Sequence, residues 1–225
     1  MMKLQWISIV NSLSALLMLG STSFAGVILN TPAPVASGPG LGLASVSLIS
    51  TLSPNNDNAP VPNPNDNNIT VPIKRFDNVG EIDLVFAVDP SQGVSEYKVS
   101  EFVDNNTGSP WTSYHMQLGF GTGANFQLSA LNDGLDFDFP DYDTPPASAA
   151  FPFVATPDED QLVFTGGIHA AGAQTYTFRI DVPDISGRAQ PTFTLRQFPT
   201  AVPEPTTLAL LGVVVLGGIA TRRRS

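Results

Sequence analysis

Apolar side chains recur at every second residue in four stretches of this chain. They are Ile82, Leu84, Phe86 and Val88; Tyr97 and Val99; Tyr114, Met116, Leu118 and Phe120; and Tyr176, Phe178, Ile180 and Val182. Phe193 and Leu195 begin a fifth. Successive side chains of an extended chain point to opposite faces, so each stretch can bury one face and wet the other. The second stretch slips near Ser100 and Glu101 before Phe102 and Val103, which predicts a bulge there. Turn signals separate the stretches: Asp104-Asn105-Asn106-Thr107-Gly108, Asn132-Asp133-Gly134, Pro145-Pro146 and Gly166-Gly167. No segment between residues 26 and 201 carries a 3.6-residue period of helical length. The expectation is an all-β domain, an antiparallel β-sandwich or jelly roll.

Composition agrees. There are 19 glycines, 20 prolines and no cysteine, and charged residues make up 13%. Without cysteine there is no disulfide, thiol nucleophile or thiolate metal site, so the core alone must hold the domain. From Gly26 to Ala201 there are 6 basic and 19 acidic residues, a net charge of −13 against −10 for the whole chain. A surface of that sign repels phosphate backbones and excludes nucleic acid as a natural partner.

Both ends read as targeting segments. Lys3 precedes an apolar core from Trp6 to Leu19, and Ser23-Phe24-Ala25 offers small residues where a signal peptidase cuts. Residues 1–25 are therefore expected to be a signal peptide, a helix during export, cleaved after Ala25. Residues 26–68 are rich in Pro, Gly and Asn, with one possible strand between Leu41 and Leu52. Ser53 to Asn68 is too polar to offset the entropy of ordering itself and reads as a loop or linker. The β domain is expected over 69–200.

The last segment, 202–225, has three parts in order. Val202-Pro203-Glu204-Pro205 is followed by an uncharged run to Ala220, then by Arg222-Arg223-Arg224. Arginines beside an apolar helix mark its cytoplasmic end. With Thr221 the run is sixteen residues, which at 1.5 Å each give roughly 24 Å, short of a bilayer core of about 30 Å. A transmembrane helix this short suits a temporary anchor. The three-part order resembles the PEP-CTERM sorting signal of Gram-negative bacteria. The resemblance implies a substrate of an exosortase, a membrane protease-transpeptidase, exported through an inner-membrane intermediate to the cell surface or an exopolysaccharide (biofilm) matrix. The implied partners are signal peptidase, exosortase, the membrane through the C-terminal helix, and an exopolysaccharide or surface polymer. The central region, through Asn105-Asn106-Thr107-Gly108, Trp111, Tyr114, Leu118 to Gly123 and Asp133-Gly134-Leu135-Asp136-Phe137, also resembles bacterial extracellular domains of the choice-of-anchor type. That resemblance implies a β-rich domain with no assigned activity.

The densest polar cluster runs from Asp133 to Asp143. On an extended segment Asp136 and Asp138 share a side opposite Leu135, Phe137 and Phe139. Asp133, Asp136, Asp138, Asp141 and Asp143 are oxygen donors of the kind that hold Ca²⁺, although the spacing is not that of an EF-hand. A carboxylate pair would also suit a small secreted glycoside hydrolase. His115 is expected on an exposed face and His169 in a turn, each without a partner motif. No nucleophile elbow, zinc-protease helix or phosphate loop is present. The reading is therefore a non-enzymatic secreted surface or matrix protein with no cofactor. The alternatives are a calcium- or carbohydrate-binding adhesion module and the small hydrolase.

Overall fold

The computed structural model describes residues 26–50, 67–90, 94–140, 142, 144–185 and 191–202. The expected signal peptide with Ala25, and the tail from Pro203 through Arg222, Arg223 and Arg224, lie outside the described residues. Among the described residues, no helix is long and apolar enough to cross a membrane.

The described chain is all-β. In order the strands are β1 (Gly26–Ile28), β2 (Val35–Ser37), β3 (Leu41–Ser45), β4 (Leu48–Ser50), β5 (Asn67–Phe76), β6 (Ile82–Pro90), β7 (Ser95–Asn105), β8 (Trp111–Phe120), β9 (Gln127–Leu128), β10 (Ala147–Ser148), β11 (Phe153–Asp158), β12 (Gln161–His169), β13 (Gly172–Val182) and β14 (Thr192–Ala201). One sheet has the order β1-β6-β14-β8-β12-β11, with β2 also on β6 and β9 also on β8. The other runs β10-β13-β7-β5-β3, with β4 also on β5. Both sheets are open.

The alternation does what the sequence predicts. Ile82, Leu84, Phe86 and Val88, then Tyr114, Met116 and Leu118, then Tyr176, Phe178, Ile180 and Val182, are all buried in one core. The sheets meet through aromatic rings. Phe76 of β5 sits edge-on to Trp111 and Tyr114 of β8, with centroids 5.2 and 5.9 Å apart. Tyr176 of β13 packs on Tyr114 at 4.8 Å and on Phe164 of β12 at 5.2 Å. Contacts of this geometry add to the burial of the rings themselves.

Three expectations change. The sandwich is not wholly antiparallel, because β5 and β7 pair in parallel. Between them the chain crosses to the other sheet to form β6, which returns it to run in the same direction, as a parallel neighbour requires. The second change concerns the boundary expected at residue 68. Strands β1 and β2 extend β6, and β3 and β4 extend β5, so 26–50 is woven into both sheets. The third concerns the slip at Ser100 and Glu101, which is not a bulge. β7 pairs with β13 in unbroken register from Ser95 to Asn105. Glu101 simply occupies an inward position between Val99 and Val103, and Phe102 faces outward, 46% exposed.

The bulge lies instead in β5. Val71 pairs with Glu101 and Lys74 with Val103, three steps on β5 against two on β7. Pro72 sits within it, exposed; a proline cannot donate to a ladder and is tolerated at bulges. The extra residue shifts the phase. Asn67, Ile69 and Val71 point inward before it, Lys74 and Phe76 after it.

Candidate functional site

Three groups of polar side chains stand out. The first is the acidic segment. Leu135 and Phe137 are buried as expected, and Asp136 forms an isolated bridge with Asp181. The alternation then stops. Asp138 adopts a left-handed φ of 54° and is itself buried, while Phe139 is 40% exposed. Asp136 and Asp138 therefore do not share an open face. The carboxylates turn back on their own loop. Asp133 Oδ1 accepts the Leu135 amide at 3.0 Å, and its Oδ2 accepts the Ser129 hydroxyl at 2.7 Å and the Ala130 amide at 3.2 Å. Asp136 Oδ1 accepts the Asp138 amide at 2.8 Å, and Glu159 accepts the Asn132 amide. The Asp133–Leu135 and Asp136–Asp138 contacts are Asx turns, and Glu159 caps the loop from outside it, so the carboxylates satisfy backbone donors at a sheet end.

The β11–β12 turn brings further acids against this loop, a meeting no local pattern foretold. Asp160 is fully buried, and among the described residues neither carboxylate oxygen has a hydrogen-bond partner. Burial, then Asp133, Glu159, Asp158 and Asp136, push its acid strength down to a pKa of about 7. Burial likewise raises Asp136 to about 6. Among the described residues, no three His, Asp or Glu side chains are grouped so as to hold a metal ion. Asp141 and Asp143 of the expected calcium set lie outside the described residues.

The second group lies between the sheets. Lys74, Glu101 and Gln197 are each buried to about 1% exposure or less. Glu101 Oε2 accepts from Lys74 Nζ at 2.6 Å and from Gln197 Nε2 at 2.8 Å. Lys74 Nζ also donates to Gln197 Oε1. Gln197 reaches in from β14 because it continues the phase of Phe193 and Leu195. Around them stand Tyr114, whose ring centroid lies 5.8 Å from Nζ, and Tyr176, paired opposite Glu101. Burial lowers the Lys74 pKa to about 8, against the opposing pull of Glu101. Among the described residues, Glu101 Oε1 and the Tyr114 hydroxyl have no hydrogen-bond partner. An ion pair so enclosed gains little net stability, because desolvation offsets its attraction.

The third group is structural. His169 is not in an open turn but buried at the end of β12. Its Nδ1 is 2.9 Å from the Tyr176 hydroxyl, its Nε2 is 2.9 Å from the Gly172 carbonyl, and its ring lies 4.6 Å from that of Trp111. Asn105 binds the His169 and Ser109 carbonyls, and Thr107 Oγ1 accepts from Trp111 Nε1 at 3.1 Å. The Asn105–Gly108 motif thus closes a turn. His115 is half-buried, stacked on Phe198 at 4.8 Å and 2.9 Å from Ser113 Oγ. Burial lowers both histidine pKa values.

The remaining feature is where the domain ends. β14 lies between β6 and β8, central in its sheet, and runs to Ala201. The Val202 amide donates to the Pro110 carbonyl at 3.0 Å, so the domain holds the first residue of the tail. Residues 201–224 match the family model of the PEP-CTERM protein-sorting motif. The chain carries a PEP-CTERM sorting signal. It covers Val202, Pro203, Glu204, Pro205 and Arg222 to Arg224, the residues on which the sequence reading rested. A PEP-CTERM signal means export, a membrane-associated intermediate, processing by an exosortase, and delivery to the surface. No curated protein and no solved structure matches the chain.

Proposed function

We propose that this is a non-enzymatic surface or exopolysaccharide-matrix protein whose β domain is the cargo of the PEP-CTERM signal. The observation that carries the reading is the direct passage from a central strand into the sorting motif. β14 is paired with β6 as far as Gln197 and with β8 out to Ala201, and the motif starts there with no spacer. The cargo is thereby presented as a rigid body at the processing point. The carboxylates of the acidic loop supported by Asp133 and Asp136 are engaged with their own backbone, which favours architecture over catalysis there. Intact mass of the mature protein from its native cell tests this. A mass lacking residues 1–25 and everything beyond about Pro203 supports it. A mass retaining Arg222 to Arg224 refutes the processing. Turnover of a polysaccharide panel, lost in Asp136→Asn, refutes the non-enzymatic part.

A second reading, a calcium-binding adhesion module, draws on one observation. Asp160 buries an unpartnered carboxylate among four other acids, a place where a hard cation relieves repulsion. It requires a further ligand such as Asp141 or Asp143. A rise in melting midpoint at millimolar calcium, absent in Asp160→Asn, supports this reading; no rise refutes it.

A further inference from the structure

The buried Lys74–Glu101–Gln197 cluster contains the parts of a condensation reaction. An amine touches a carboxamide, and one carboxylate reaches both nitrogens. Lys74 Nζ donates to the Gln197 carboxamide oxygen, one covalent bond from the carbon Cδ. Glu101 Oε2 lies 2.6 Å from the attacking nitrogen and 2.8 Å from the nitrogen that would leave. All three are sealed from water in an aromatic-lined core. We propose that Lys74 and Gln197 join autocatalytically into an intramolecular isopeptide bond, with Glu101 shuttling the protons.

The step balances without any outside reagent. Glu101 first takes a proton from the Lys74 ammonium, leaving a neutral amine and a neutral carboxylic acid. The Nζ lone pair attacks Gln197 Cδ, forming the C–N bond and placing the carbonyl electrons on Oε1. Glu101 gives its proton to Nε2, the Cδ–Nε2 bond breaks, and ammonia departs. The carboxylate then takes the surplus proton from Nζ and ends as the acid. An amine and a primary amide become a secondary amide and ammonia, with nothing oxidised or reduced.

The environment supplies what each step needs. Burial favours the neutral amine, which is the nucleophile, and holds the Lys74 pKa near 8. The bulge at Pro72 aims Lys74 inward, and the partners are held on strands of both sheets, so the encounter is already made. The product replaces a costly buried charge pair with an amide and a neutral acid. Its consequence is mechanical. Gln197 lies on β14 just before the sorting motif, so any pull on a surface attachment enters through β14. A bond to β5 hands that pull to the opposite sheet. The chemistry itself does not depend on how the tail is processed.

The test is the intact mass of the full chain purified from an expressing bacterium, followed by peptide sequencing. The expected mass is about 17 Da, one ammonia, below that of the sequence between its observed ends, with a linked peptide containing Lys74 and Gln197. Lys74→Met and Glu101→Gln are each expected at full mass, with folding checked by circular dichroism. If either fails to fold, the linked peptide in the wild type still decides. A wild-type mass without the deficit after days at neutral pH overturns the proposal. So does a deficit mapped to another residue. A bond that persists in folded Glu101→Gln overturns the role given to Glu101.

Discussion

Asp160→Asn should stabilise the domain more at neutral pH than in acid. The buried carboxyl has a folded pKa of about 7 against 3.8 for the free side chain, chiefly through burial and then through Asp133, Glu159, Asp158 and Asp136. The folded state therefore binds this proton more tightly than the unfolded chain. Between these two values folding takes up a proton, so the Asp160 contribution to stability falls as pH rises through the window and levels off above 7. Three units at 1.36 kcal/mol each set a ceiling of about 4 kcal/mol. Asp133 is exposed and Asp158 and Glu159 are half-exposed, so their charges can relax toward water and bring the gain to about 2 kcal/mol. Asparagine keeps the shape and removes the titration. The assay is urea denaturation of wild type and variant from pH 4.5 to 8, taking differences so that His169 and other groups cancel. The gain should be about 1 kcal/mol at pH 4.5, where the unfolded carboxyl is already mostly ionised, and about 2 kcal/mol at pH 8, the latter roughly 4–8 °C in melting temperature. A difference independent of pH, or a variant less stable throughout, would show that Asp160 is not held uncompensated in the fold.

Phe76→Ala removes the ring that bridges Trp111 and Tyr114 and should cost about 4 kcal/mol in urea denaturation, whereas Phe102→Ala on the exposed face of β7 should change stability by less than about 0.5 kcal/mol. Arg196→Met leaves the fully buried Asp83 without the fork that binds it at 2.7 and 2.8 Å; the same denaturation should show a loss of about 3 kcal/mol, and Asp83→Asn a smaller one. Gly121→Ala places a methyl 2.4 Å from the Asn125 carbonyl at a φ of 78°, and should lower the melting midpoint by the equivalent of about 2 kcal/mol. His169 is held neutral by burial, its folded pKa below the free value, so its contribution is present above pH 6.5 and lost as pH falls; His169→Phe should flatten the acid side of the stability profile.

Strands β6, β7, β8, β13 and β14 were legible because burial of one face is written in the spacing of neighbouring residues; β9 to β12 were not, and Gly166-Gly167, expected as a turn, lies within β12. What the spacing omits is which sheet a strand joins. Sending β6 to the opposite sheet, and so making β5 and β7 parallel, is a choice among long-range pairings. Strands β1 to β4 were hard to read for another reason. They are three to five residues long and held mainly by backbone pairing along the edges of β5 and β6. The acidic loop was misread past Phe137 because one left-handed residue, Asp138, ends the alternation, and its φ leaves no mark in composition.

The buried cluster is more instructive, since each of its members left a signal. Glu101 broke the apolar rhythm of β7, and taking every charge as outward turned that break into a bulge. Keeping the phase places Glu101 inside and Phe102 outside, as the structure does. Pro72 announced a real bulge in β5, and counting one residue across it turns Lys74 inward. Gln197 continues Phe193 and Leu195 without any break. A sandwich that only needed filling would meet these three positions with apolar side chains at lower desolvation cost. Two of them ionise, and the third carries an amide within reach of both. Polar residues that keep an inward phase on strands of opposite sheets therefore point to a reaction across the core, and the mass of one ammonia distinguishes that reaction from a buried ion pair.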